Sequence, residues 1–210
     1  MHRSARKKVM NMKHCFGQLI LVLVVSISLQ VSAQKNPEVQ KLEKALEQLN
    51  GIIEDAPSRY HHDRAEVLFR LGRFEESVED YNVAVRFAWP HNEDSCWERG
   101  LAQYYAGDFR SARDQFMGYH RVGALDIENG LWRLLCIAED EGIEKARASM
   151  LNYSRRVRKP FPSLLELYLG RGSAEAVLKE ATDGASNPQE RTANLFNAHY
   201  YLAKYFEIVD

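Results

Sequence analysis

The 210-residue chain is short of the residues that build several kinds of protein. It has three cysteines, and Cys15 precedes the one long apolar run, so only Cys96 and Cys136 serve the body. That is too few for a disulfide-built scaffold. Twelve glycines and six prolines exclude a collagen-like or low-complexity chain. Charge of either sign is not in excess: 28 Lys and Arg stand against 29 Asp and Glu, which gives no general field to draw in nucleic acid. Beyond Ala33 no apolar run is long enough to cross a bilayer, and no segment alternates apolar and polar residues for long enough to make a strand. The motifs GxSxG, HExxH and CxxC are missing. Gly170-Arg171-Gly172-Ser173 has neither the preceding strand nor the spacing of a phosphate loop, and reads as a helix turn with Ser173 as N-cap. These absences predict no catalytic residues, no resident metal or cofactor and no nucleic-acid partner.

What charge asymmetry exists is at the start. Residues 1–33 hold five basic groups (Arg3, Arg6, Lys7, Lys8, Lys13) and no acidic one, whereas the rest carries 23 basic against 29 acidic groups. An apolar stretch from Leu19 to Leu29 follows, then Val31-Ser32-Ala33. Basic, apolar, small is the order of a secretory signal. Eleven helical residues rise about 16 Å, half of what a bilayer core needs. The expectation is an exported protein, periplasmic or secreted, cleaved after Ala33 and without a membrane span thereafter. In an oxidising compartment Cys96 and Cys136 either bridge or stay as buried apolar residues.

The body reads as helices. Asn36-Pro37 places an N-cap and an N1 proline, and Val39, Leu42, Leu46, Leu49 and Ile53 form one seam. A helix over 34–57 follows, closed by Pro57. Gly72, Gly107 and Gly142 then stand 35 residues apart, as do Trp97 and Trp132. A helix runs into each glycine and another leaves it. The leaving helices carry Phe74, Ser77, Val78, Tyr81 and Ala84, then Phe109, Ala112 and Phe116. Glycine supplies turn angles that a Cβ resists, and Ala65, Gly100, Ser77 and Ala112 let paired helices approach closely. One such hairpin cannot bury its own stripe, so neighbours must stack.

Trp97 through Phe109, continuing to Ala112 and Phe116, resembles the tetratricopeptide repeat (TPR). A first repeat over about 58–91 matches through Gly72, Phe74, Ser77, Tyr81, Ala84 and Pro90; a third, about 128–156, is degenerate, with Leu135 at a small-residue position. The resemblance implies an all-α fold, a right-handed stack of antiparallel helix pairs (an α-solenoid), with repeats at about 58–91, 93–127 and 128–156. Lys159-Pro160-Phe161-Pro162 breaks the chain, and 159–210 holds a short helix pair and a last helix, opened at Asn187-Pro188, that looks like the first half of another repeat. This arrangement resembles small periplasmic TPR scaffold proteins, without their lipid-attachment cysteine.

In TPR folds the first helix of each pair lines a concave groove. Carried onto this chain, groove positions are His62, Glu66 and Phe69 in the first repeat, Trp97, Leu101, Tyr104 and Tyr105 in the second, and Trp132, Cys136 and Glu139 in the third. His62, Trp97 and Trp132 then form a ladder that anchors a protein or peptide partner. The competing reading packs both tryptophans between neighbouring helices as core. His62 and Glu66 share a helix face, but two ligands do not make a metal site. Arg155, Arg156, Arg158 and Lys159 either hold an anionic surface or simply end a helix. The expected function is an exported adaptor or scaffold. The alternatives are a structural subunit self-associating through the last helix, and a metal protein or enzyme centred on His62 and Glu66.

Overall fold

A computed structural model describes residues 36–53, 59–88, 93–123, 126–151, 153 and 158–209. The leader expected over 1–33 lies outside these residues, as do Pro57, Pro90, Arg155 and Arg156. Among the described residues there are ten α-helices, one 3₁₀ turn (Glu93–Ser95) and no strand. The helices are α1 (Pro37–Ile53), α2 (Arg59–Arg70), α3 (Phe74–Ala88), α4 (Trp97–Tyr105), α5 (Phe109–His120), α6 (Ile127–Glu141), α7 (Ile143–Ala148), α8 (Phe161–Tyr168), α9 (Ala174–Asp183) and α10 (Pro188–Val209). None of them is long and apolar enough to cross a membrane.

Two compact units divide inside α1, between Ala45 and Leu46. In the first, α1 starts as its residues dictate: the Asn36 side chain accepts from the Glu38 amide at 3.0 Å, and Pro37 occupies N1. The second unit, Leu46–Asp210, holds the successive helix pairs.

The pairs turn on glycine. Gly72 and Gly107 have φ of +75° and +79°. At each, the glycine amide donates to the carbonyl three residues back (Phe69, Tyr104), and the next amide donates to the carbonyl five back (Leu68, Gln103). This is the Schellman closure, and it needs a left-handed residue at that position. The same closure recurs at Gly170, with φ +73° and the Arg171 amide donating to Glu166, off the 35-residue period. Gly142 differs. Its φ of +89° and ψ of 159° let α6 pass almost directly into the short α7. The third pair is degenerate in its turn as well as in its residues.

The small residues serve close approach. Ala65 and Ser77 are fully buried, and the Ser77 hydroxyl donates to the Ala65 carbonyl at 2.7 Å, tying α3 to α2. A Cβ on Gly100 would sit 2.9 Å from the Phe116 ring, so α4 meets α5 through the missing methyl. Asp80, buried on α3, accepts from Arg64 at 2.6 and 2.8 Å and pairs with His61 at 2.8 Å. A buried carboxylate is tolerable only when satisfied in this way.

Helices α2 to α6 pack in order, each on the next; α6 then packs on α7 and α8, and α8 on α9. This is a TPR-like stack of helix pairs, an α-solenoid. The final helix departs from simple succession. Besides α9, α10 packs against α6 and α8, so it lies across the first helices of the later pairs. Ala198, Tyr201 and Leu202 of α10 are buried in the same cluster as Tyr104, Phe116, Trp132 and Leu164. Cys96 and Cys136 are both buried and free, and form no disulfide.

Candidate functional site

The docking of α10 leaves a cavity of about 310 Å³ between its middle turns and the stack. Its walls are Trp97 and Leu101 from α4, Phe116 and Tyr119 from α5, Glu128, Asn129 and Trp132 from α6, and Phe196, Asn197, Tyr200 and Tyr201 from α10, with Asp126 at the α6 N-cap. Among the described residues no Lys, Arg or His lines it. The pairing of residues 34 to 36 apart on successive first helices follows from the repeat. The α10 wall does not.

Trp132 is the centre of the aromatic wall. It stacks on Phe116 with ring centroids 6.1 Å apart and planes 17° from parallel, and meets Tyr104, Tyr200 and Tyr201 at 5.2, 6.2 and 6.1 Å in tilted or edge contacts. Such geometries suit the ring quadrupoles. Hydrogen bonds hold α10 in place around it. The Tyr201 hydroxyl donates to Glu128 at 2.7 Å, the Tyr105 and Tyr200 hydroxyls share a bond of 2.7 Å, and Tyr168 donates to the Tyr201 carbonyl at 2.8 Å. The Lys204 ammonium lies 5.5 and 5.2 Å from the Tyr104 and Tyr105 rings. On the other wall, Asp126 caps α6 by accepting from the Glu128 and Asn129 amides, and Asn129 donates to the Phe116 carbonyl at 2.9 Å. The Asn129 side-chain oxygen has no partner among the described residues.

Burial pushes the Tyr201 hydroxyl far above the usual phenol range, with the Glu128 carboxylate adding to the effect. Tyr200 is raised in the same way, by burial first and by its bond to Tyr105 second. These phenols stay protonated. Among the described residues the formal charges in the lining are therefore Asp126 and Glu128, and Glu128 is already engaged by Tyr201 and Arg158.

The residues expected along the groove separate into three groups. Trp97, Leu101 and Trp132 share the cavity. Phe69, Tyr104 and Tyr105 form a continuous aromatic contact (Phe69 to Tyr105 5.7 Å, Tyr104 to Tyr105 5.4 Å), and Tyr104 is buried. His62 and Glu66 belong to neither: His62 packs edge-on against Tyr81 at 5.4 Å and does not line the cavity, and Glu66 is exposed. Along the expected ladder of His62, Trp97 and Trp132 the side chains differ in exposure. Trp97 is 43% exposed, whereas Trp132 is 5% exposed because α10 covers it. The Arg158 end of the basic run is spent on Glu128 and on the Phe161 ring, and Lys159 on Glu180.

Sequence reasoning missed Phe196, Asn197 and Tyr200 as cavity residues. The signal present was the surplus apolar face of the last helix, which shows that something must cover it but not what. Phe196 stacks on Tyr200 at 6.2 Å and is 69% exposed, so with Trp97 it forms the open rim of the cavity.

No family model matches the chain. It is 26% identical over 148 residues to a protein of Haemophilus influenzae named Lipoprotein NlpI homolog. The match covers 67% of this chain and 47% of that protein, so the chain spans about half the length of the curated relative to which it is similar.

Proposed function

We propose that this chain is an exported TPR-type adaptor that captures a protein partner by seating one of its side chains in the aromatic cavity beneath α10. The observation that carries this reading is the pair of exposed rim rings, Trp97 at 43% and Phe196 at 69%, over a cavity of about 310 Å³. That volume is at the low end for a small-molecule site and suits a side-chain anchor. Buried aromatics on a packed floor hold the cavity open before the partner arrives, which lowers the ordering cost of association. Anchors of this kind supply most of an interface's energy. The basic-apolar-small leader of residues 1–33 and the similarity to a lipoprotein support an envelope location.

A photo-crosslinking residue at position 196, irradiated in an envelope extract, tests the proposal. A discrete protein adduct that disappears in Trp97→Ala, with no adduct from a label at exposed Lys179, is the expected result. An adduct indifferent to Trp97, or none at all, refutes it. A second reading, self-association into an envelope assembly, is favoured by Phe206 and Val209, 45% and 36% exposed near the end of α10. Light scattering that finds only monomers at high concentration removes it.

A further inference from the structure

Outside the cavity lining, three side chains of differing chemistry converge between the first helix of the first pair and the first helix of the second. His62 lies in the first turns of α2. Cys96 is the N-cap residue of α4 and is 3% exposed. Glu98 is in the first turn of α4. One ring nitrogen of His62, the Cys96 sulfur and a Glu98 carboxylate oxygen all lie within 4.8 Å of one another. We propose that His62, Cys96 and Glu98 bind a divalent transition-metal ion of the zinc class.

The donor set carries the choice of ion. Thiolate with imidazole and carboxylate suits a borderline-soft cation and disfavours magnesium or calcium, which take oxygen ligands. Metal–ligand lengths of about 2.0–2.3 Å in a tetrahedron put donors about 3.3–3.6 Å apart, so the three groups need close in by at most about 1.5 Å, within reach of side-chain torsions. The imidazole is not free to wander. It packs edge-on against Tyr81, itself fully buried, and this fixes the ring before an ion arrives. On binding, the Cys96 thiol gives its proton to water and the sulfur becomes the ligand. His62 and Glu98 are only partly buried, which leaves an approach for the ion and a fourth position for water. Burial raises the empty thiol to about 11, with the Arg99 amide acting against it, so Cys96 on its own is unreactive. The ion would act as a clip between two repeats. Glu66, which shares a helix face with His62, is exposed and takes no part.

Cobalt(II) titrated into the full, untagged, reduced chain tests this. Expected are one equivalent bound, a thiolate-to-cobalt charge-transfer band and the visible bands of tetrahedral cobalt. Zinc should then displace the cobalt and raise the unfolding temperature. Cys96→Ser should abolish the charge-transfer band, while Cys136→Ser and Glu66→Gln keep it. His62→Gln and Glu98→Gln, which leave the buried Cys96 in place, should each weaken cobalt binding at least tenfold with helicity unchanged. Absence of the band in the wild-type chain overturns the proposal. So does its survival in Cys96→Ser, its loss in Cys136→Ser, or wild-type affinity in both His62→Gln and Glu98→Gln.

Discussion

The two tryptophans on the cavity occupy equivalent places in successive repeats, yet truncating them should have very different consequences. Trp132 is 5% exposed and contacts five aromatic rings on three other helices, those of Tyr104, Tyr105, Phe116, Tyr200 and Tyr201. Its replacement by alanine removes a large buried surface and leaves a void that α10 cannot fill without breaking the Tyr201–Glu128 and Tyr105–Tyr200 bonds. Core Trp→Ala changes cost about 3–5 kcal/mol, a large share of the roughly 5–15 kcal/mol that holds a domain folded. For a unit of this size that is a fall of roughly 6–20 °C in unfolding temperature. Trp97, 43% exposed at the rim, has no such network among the described residues, and Trp97→Ala should cost under about 1 kcal/mol. Urea denaturation followed by far-ultraviolet circular dichroism measures both without relying on the fluorophores being removed. Equal losses, or a Trp132→Ala protein as stable as wild type, would refute the account of α10 as a packed element. Partner adducts at position 196 should vanish in Trp97→Ala while the protein keeps its stability, which separates the anchor from the core.

Gly100→Ala brings a methyl 2.9–3.1 Å from the Phe116 ring and the Gln115 side chain and should cost about 1–2 kcal/mol, overpacking outweighing the gain in helix propensity. Adding Phe116→Leu should recover part of that loss in a double-mutant cycle, and strict additivity would count against the contact. Gly107→Ala meets no atom within 4 Å, so its expected cost of about 1–2 kcal/mol is purely the strain of φ +79°, and Gly107→Asn should cost less. Glu180 accepts from the Ser163 amide at 2.8 Å and from Lys159, thereby capping the start of α8 from α9. Burial works to raise its pKa, but these donors outweigh it and hold the carboxyl below its ordinary 4.5. A depressed folded value means the bond stabilises above that range and is lost as the pH falls through it. The gap in urea midpoint between wild type and Glu180→Gln should therefore be widest near neutrality and close in acid; a gap independent of pH would contradict the capping role.

Much of this architecture is written in short stretches of the chain. Helical content and the openings at Asn36-Pro37 and Asn187-Pro188 depend on residues within a turn or two of one another, and the close contacts Ala65–Ser77 and Gly100–Phe116 join helices separated only by one short turn. The structure refines them only in detail. The last helix starts with Asn187 accepting from the Glu190 amide, while Glu190 reaches back to Ser186 rather than to Asn187. Gly170 makes the same turn as Gly72 although it stands off the period, because hydrogen-bond closure depends on the local backbone and not on the spacing of repeats.

The candidate sites were legible only in part. Trp97, Leu101 and Trp132 could be placed together because a 35-residue period puts them on successive first helices. That Trp132 would be covered and Trp97 left open could not, since the cover is a helix more than sixty residues further along. His62 was singled out with Glu66, the neighbour one helical turn away, while Cys96 and Glu98 approach it from the next repeat. Periodicity, capping and left-handed turns are settled by interactions a few residues long, so the amino-acid order alone determined the helices and their pairing. Where α10 lies, and with it the cavity and the exposure of each tryptophan, depends on complementarity between surfaces far apart in the chain. That was decided by tertiary packing.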